Sequence, residues 1–395
     1  MKLRTNSLKL TLDPCKGPIK ILHCLGTLDT GGIETWLLHI LKSLNTKQFH
    51  FDFCTFGRHP GLYAPEVERL GANVLRCPLS KNLWRFGSQF RQILRQGNYD
   101  VVHSHVQLFS GVLLRWAHLE GVQVRVAHSH NSHDGKSKTA GRRAYRSLMK
   151  RSIQRHATHG LAASRLAADA VFLDWKNDRR VAILHYGIDL NYFRGAVNCH
   201  EWRRKIGLPI GSQVIGNVAN FVPAKNHGFF LEIAAEIRKH RPDMHFLLIG
   251  EGPLRAEVEA RAWGMGFRDN MHFLGTRIDV PNLLRTCIDA FVFPSLWEGL
   301  PLAVVEAQAA GLPCIVSSAI TDEVAILPEQ VVQLPITMGA EKWAAATIEA
   351  IDRGRFKAQS STEAMQRTDF TIEHGMSSLL AIYSTGMAEA NAAKR

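Results

Sequence analysis

The apolar positions of this chain fall into short runs separated by longer stretches with helical periodicity. Residues 18–26, PIKILHCLG, form the first run, and IETWLLHILKSL after it repeats its apolar residues every three or four positions. HFDFCTF, ANVLRCPL, YDVVHSH, VQVRVAHSH, HGLAAS and VAILHYGID read as further strands with helical segments between them. A crossover over residues 190–212 then leads to a second series, QVIGNVAN, MHFLLIGEGPL, NMHFLGTRIDV, FVF, CIVS and VVQLP. Strict alternation of strand and helix over this length predicts doubly wound parallel sheets in an α/β protein. The pattern suggests a lead-in over 1–17, a first domain over 18–190 and a second over 191–370, with helix at the end, 371–395.

The most informative stretch is Phe291 to Ser317. The run FVF is stopped by Pro294 and Ser295, a loop LWEGLP follows, and a helix is expected from about Leu302 to Ala310, ended by Gly311 and Pro313. The loop thus lies at the carboxyl end of a parallel strand, where open α/β sheets bind ligands. Glu298 at the mouth and Glu306 deeper can line one cleft, although either alone reads as an ordinary surface acid. The backbone N–H groups of Gly299, Leu300 and Leu302, at a helix N-terminus, suit phosphate. Gly31-Gly32 also precede a helix, with a spacing that is not Gly-x-Gly-x-x-Gly and so argues against a nicotinamide dehydrogenase. Lys225 stands just ahead of another helix, where it can meet a diphosphate as a point charge or remain a solvated loop lysine. Gly250 marks a strand tip, and the turn Gly275-Thr276-Arg277 can offer backbone groups to a base.

Two strands end in His-Ser-His, at His103 and His105 and at His128 and His130. Alternation sends His103 and His105 to one face and Ser104 to the other. The four could converge on a metal, but no acidic ligand accompanies them, and hydrogen-bonded structural histidines are the plainer reading of His103 and His128. From Gly135 to Ala168 the chain has no Asp or Glu, yet carries Lys136, Lys138, Arg142, Arg143, Arg146, Lys150, Arg151 and Arg155. Arg142, Arg146 and Lys150 share a helix face, and Tyr145, Leu148 and Met149 are expected to supply apolar contacts. A helix of one sign suits an anionic membrane surface or an acceptor pyrophosphate. Aromatic residues for stacking bases are sparse, so nucleic acid is not expected.

The whole chain, 395 residues with a formal charge of +13, fits an anionic partner. It has no 18-residue apolar run to span a membrane, and its basic N-terminus lacks the apolar core of a signal peptide. Seven cysteines without Cys-x-x-Cys spacing suggest a reducing cytoplasm and neither disulfides nor a zinc site.

The string Pro294-Ser295, Glu298-Gly299-Leu300-Pro301, Glu306-Ala307 and Gly311-Leu312-Pro313 resembles the donor-site signature of retaining family-four glycosyltransferases. The order HSHN, DGK, RRAYRSLMK, ATHGLAAS, HYGID is similar to the bacterial exopolysaccharide and capsular polysaccharide members, over about Ile19 to Leu380. The resemblance implies the GT-B fold: two facing Rossmann-like domains about a cleft, with the last helix crossing back to the first. It implies retaining transfer of a hexose-type sugar from a nucleotide-diphosphate donor, UDP being the commonest, to a lipid-linked glycan at the inner face of the cytoplasmic membrane. It gives Glu306 the ribose hydroxyls, Glu298 the sugar hydroxyls, and Lys225, the amides after Glu298 and Gly31-Gly32 the diphosphate. His130 would face the transferred sugar and acceptor, with His105 beside it on the acceptor side, and Arg277 the nucleotide end. No Asp-x-Asp motif is present, so no metal cofactor is expected, the lysine and helix N-terminus taking the cation's place. The family usually carries an arginine five residues before the lysine, and this chain has Asn220, which brings no charge. The same fold also serves epimerases and phosphorylases, and a membrane-associated assembly protein with a degenerate donor site is the reading from a different class. The oligomeric state is left open.

Overall fold

A computed structural model describes residues 17–133 and 139–393. The expected lead-in as far as Lys16, and Lys136 and Lys138 of the basic run, lie outside the described residues. The chain divides into two compact units, Met1–His185 with Ile372–Arg395, and Tyr186–Thr371. The boundaries fall at residues 186 and 372, beside the expected 191 and 371.

The first unit holds a seven-stranded sheet built from β1 (Ile19–Leu25), β2 (Phe49–Thr55), β3 (Val74–Arg76), β4 (Val101–Ser104), β5 (Val124–Ser129), β6 (His159–Ala162) and β7 (Val181–Ile183). The strand order is β3-β2-β1-β4-β5-β6-β7 and every pairing is parallel. The chain moves outward from β1 to β3 and then returns to the other side of β1, so the order reverses between β1 and β4. On one face Leu22, Cys24, Val102 and Ala127 join a core with Phe86, Phe90, Leu113 and Leu114. On the other lie His23, His103 and His128, near Trp36 of the helix Gly32–Ser43 and Tyr383 of the helix Ile372–Ala392. That last helix comes close to the sheet at Gly386, where an added Cβ would lie 3.0 Å from Val124. The three histidines set this face apart from the apolar core on the other side of the sheet.

The second unit holds a six-stranded parallel sheet of β8 (Val214–Val218), β9 (His245–Ile249), β10 (Met271–Phe273), β11 (Ala290–Phe293), β12 (Cys314–Ser317) and β13 (Val331–Leu334). Its order, β10-β9-β8-β11-β12-β13, reverses between β8 and β11. The helix His227–His240 buries Phe230, Ile233, Ala234 and Ile237, one helical stripe, against Phe246 and Leu248 of β9. Each large apolar side chain so buried contributes roughly 1.5–3 kcal/mol. This packing fixes the loop between β8 and the helix, which carries Lys225. The helix Leu302–Ala309 buries Val304, Val305, Ala307, Gln308 and Ala309. Its half-buried residues Leu302, Ala303 and Glu306 recur at helical spacing and leave one side open.

Candidate active site

The reversal in the second sheet brings the loops after β8 and β11 together. Lys225 Nζ meets Glu298 Oε1 at 2.5 Å, with the two side chains 20% and 10% exposed. The backbone supports the pair: Leu296 N donates to Ala224 O at 2.7 Å, and Asn226 Nδ2 donates to Pro294 O at 3.2 Å. Lys225 also lies over the Phe293 ring, 5.1 Å from its centroid. Two residues that sequence placed separately on a diphosphate and a sugar are thus ionic partners, 73 positions apart.

The neighbouring strand tips complete the rim. Gly250, after β9, has φ +143, and a Cβ there would lie 2.1 Å from Ala219 O after β8. Only glycine permits that approach. Gly250 N donates to Gly275 O at 2.9 Å, tying in the turn after β10. Arg277 is engaged by Asp279 through Nε to Oδ1 at 2.7 Å and Nη2 to Oδ2 at 2.5 Å, which raises its pKa further. This fork already occupies the guanidinium that the resemblance assigns to the nucleotide end. Asn220 is exposed.

Beyond Glu298, the buried Gly299 and Leu300 lead through Pro301 into the helix Leu302–Ala309, whose N-terminus has no side-chain cap. Glu306 lies on the half-buried side of that helix. Its carboxyl has no hydrogen-bonding or ionic partner among the described residues, and removal from water raises its pKa to about 7. The helix is closed by Gly311 at φ +76, where a Cβ would meet Phe356 O at 2.4 Å. His227 was not legible as part of this region. Its ring stacks on Phe221 at 4.1 Å, and burial followed by the Lys225 charge lowers its pKa to about 4.

In the first unit Gly31 is the N-cap residue and Gly32 opens the helix Gly32–Ser43. Glu34, to which sequence gave no role, folds back so that its carboxylate would lie against any Cβ at Gly31. Burial, and then the nearby Asp29, help raise the Glu34 pKa to about 7. The same unit holds five buried histidines. His23 Nδ1 meets His105 Nε2 at 3.0 Å, and His105 Nδ1 meets His130 Nε2 at 2.8 Å. His103 Nε2 meets His128 Nδ1 at 3.1 Å, and His103 Nδ1 meets Tyr383 Oη at 2.6 Å. His103 and His105 do share a face, their rings stacked at 4.1 Å. Burial lowers all five pKa values, to about 3 for His23 and His130, so the rings are neutral at pH 7. Sequence found four of these residues. His23 is a polar position inside an apolar run, and its register opposite His103 is the signal that was available.

The basic segment forms the helix Ala140–His156, capped by Thr139, whose hydroxyl accepts from Arg142 N. Its exposed basic residues are Arg143, Arg151 and Arg155, whereas Arg142, Arg146 and Lys150 are half-buried. The expected row is displaced because Met149 and Ile153 turn into the core. Lys150 donates to Asp169 O at 2.7 Å, and Arg142 stacks over Tyr145 at 4.5 Å. Leu148, expected to supply an apolar contact, is instead 61% exposed.

Two doubly wound parallel units, with polar groups at the order reversal of each sheet, define the GT-B class of glycosyltransferase fold. The chain belongs to the glycosyltransferases. The family model described as Glycosyl transferases group 1 matches residues 199–358, and that of the Glycosyl transferase 4-like domain matches 31–187. The putative glycosyltransferase EpsF of Bacillus subtilis (strain 168) is 32% identical over 370 residues, 92% of this chain and 96% of that protein. The Escherichia coli UDP-Gal:alpha-D-GlcNAc-diphosphoundecaprenol alpha-1,3-galactosyltransferase is 32% identical over 239 residues, 58% of this chain and 60% of that enzyme. Among solved structures, Anabaena Alr3699/HepE in complex with UDP and glucose superposes with a TM-score of 0.76 at 18% identity, covering 93% of this chain and 99% of that one.

Proposed function

We propose that this glycosyltransferase moves a hexose-type sugar, with retention, from a UDP-sugar to a lipid-linked glycan during exopolysaccharide or capsule assembly. The observation that carries this reading is the Lys225–Glu298 pair at the reversal point of the second sheet, beside an uncapped helix N-terminus. A donor diphosphate would be met by the Lys225 ammonium and by the amides of Gly299, Leu300 and Leu302. As the bond to the anomeric carbon breaks, charge grows on that diphosphate, and these preorganised donors stabilise it, each contributing about 3–4 kcal/mol. Glu298 holds Lys225 in place and accepts from sugar hydroxyls, and Glu306 accepts from the two ribose hydroxyls. A lysine and a helix dipole thus supply the positive charge, and no metal cofactor is invoked for the donor. The UDP base and a lipid-diphosphate acceptor are supported by the names of the Escherichia coli relative and the Anabaena neighbour.

Within the first unit, the Gly31-Gly32 loop is assigned to phosphate, and His105 and His130 to acceptor and sugar hydroxyls. This reading assigns the basic helix and the exposed Trp84, flanked by Lys81 and Arg85, to an anionic membrane surface, with the enzyme bound peripherally on its cytoplasmic face. No helix among the described residues is long and apolar enough to cross a membrane. The test is transfer from UDP-galactose and UDP-glucose to a polyprenyl-diphosphate-linked sugar, with the product read by NMR. An α-linked product supports the reading, and an inverted anomer sinks it.

A further inference from the structure

The five histidines of the first unit exceed what hydrogen bonding to a sugar requires. They come from three adjacent strands at the order reversal, His23 on β1, His103 on β4 with His105 just beyond it, and His128 on β5 with His130 just beyond it. Two sets, His23 with His103 and His105, and His105 with His128 and His130, each have ligand nitrogens within 4.8 Å of one another. His105 belongs to both sets, and a neutral imidazole has one lone pair. One ion, not two, can therefore be held by neutral rings.

One arrangement of the ring protons singles out the second set. If His105 Nε2–H donates to His23 Nδ1, the His105 lone pair lies on Nδ1, on the side of His130. If His128 Nδ1–H donates to His103 Nε2, then His103 Nδ1–H donates to Tyr383 Oη, and the His128 lone pair lies on Nε2. His23, His103 and Tyr383 become the outer supports that fix tautomers, the usual arrangement around metal-bound imidazoles. In the second set, His105 and His130 are 6% and 5% exposed and His128 1%, while His23 and His103 are fully buried.

We propose that His105, His128 and His130 form a binding site for one divalent late transition-metal ion, of the class of Zn²⁺, Ni²⁺ or Co²⁺. Three neutral imidazoles suit these ions, and a tetrahedral ion would keep its fourth position for water at the strand tips. Nitrogens bound to one tetrahedral ion at about 2.0–2.1 Å stand roughly 3.3 Å apart. The His105–His130 contact, 2.8 Å where a proton is shared, needs to open by only about half an ångström. Where His130 serves the sugar as proposed above, occupancy by metal removes it from that task. Only this consequence rests on the functional reading.

The experiment is a Co²⁺ titration of untagged, metal-stripped full-length protein, read by the visible bands of tetrahedral cobalt and by displacement with Zn²⁺. One equivalent is expected, with the bands lost in His130→Gln and in His128→Gln. His23→Gln should keep the stoichiometry and the bands while weakening binding about 10- to 100-fold. Absence of tetrahedral bands in wild-type protein that circular dichroism shows folded would overturn the proposal, whatever the variants do. So would bands retained in both His128→Gln and His130→Gln. Zn²⁺ inhibition of sugar transfer, reversed by EDTA, would then follow; its absence alongside intact cobalt binding would count against the role of His130 in transfer and not against the site.

Discussion

Glu306 shows how one side chain can tie affinity to pH. Its folded pKa of about 7 lies above the 4.5 of a free glutamate, because burial penalises the charge. Its contribution to the stability of the free protein is therefore full below pH 4.5 and lost as pH rises through 7. Ribose hydroxyls donate to the ionised form, so UDP-sugar affinity should rise from pH 6 to pH 8. Glu306→Gln should flatten that rise and weaken binding at pH 8 by about 10-fold or more. The same variant should raise the unfolding midpoint of the ligand-free protein at pH 8 and leave it unchanged at pH 4. Calorimetric titration and denaturant melts at both pH values check these outcomes. Asn220 is the complementary case. Its exposed amide brings no charge to the leaving diphosphate, and Arg277 is already paired with Asp279. Asn220→Arg should raise kcat, and an unchanged kcat would show that the site does not lack a cation there.

At the scale of elements, the site is a joint between two loops. Lys225→Ala removes a donor to the diphosphate and leaves Glu298 nearly buried without its partner. We expect a loss of about 100- to 1000-fold in kcat and a stability cost approaching the roughly 3 kcal/mol at the low end for buried pairs. Adding Glu298→Gln should recover much of the stability and none of the rate, a double-mutant cycle that separates holding the loops from doing chemistry. Gly250→Ala tests the strand tips. It strains a positive φ and drives a Cβ into the Ala219 carbonyl, so it should weaken nucleotide binding, whereas Gly211→Ala, at φ +86 with open space around it, should cost only about 1 kcal/mol of stability and leave binding intact. The elements themselves were legible because buried parallel strands read as apolar runs and the breakers Pro294, Gly311 and Pro313 are local. The turn at Gly275, φ +67, shortened NMHFLGTRIDV to Met271–Phe273. The pairing of Lys225 with Glu298, and of His103 with Tyr383 280 residues away, was not legible, since no local pattern encodes a contact made by topology. The basic helix was legible as a helix but not in its rotation, which Met149 and Ile153 set by packing.

For the molecule as a whole, the excess of 48 basic over 35 acidic residues acts through the surface. Sedimentation with vesicles containing anionic lipid should capture the protein at low salt and release it as salt rises, and Trp84→Ala should weaken the capture; equal binding to neutral vesicles would remove the electrostatic assignment. The central claim is that the second unit binds a nucleoside diphosphate through Lys225, the loop amides and Glu306 without a metal. The most direct measurement is thermal stability with UDP, GDP, ADP or CMP in the presence of EDTA. A ligand at a hundred times its Kd adds about 2.7 kcal/mol, a visible shift. We predict that UDP raises the midpoint in the wild type and that Lys225→Ala abolishes the rise. A folded wild-type protein that answers to none of the four nucleotides, or only once EDTA is replaced by a divalent cation, would contradict the account.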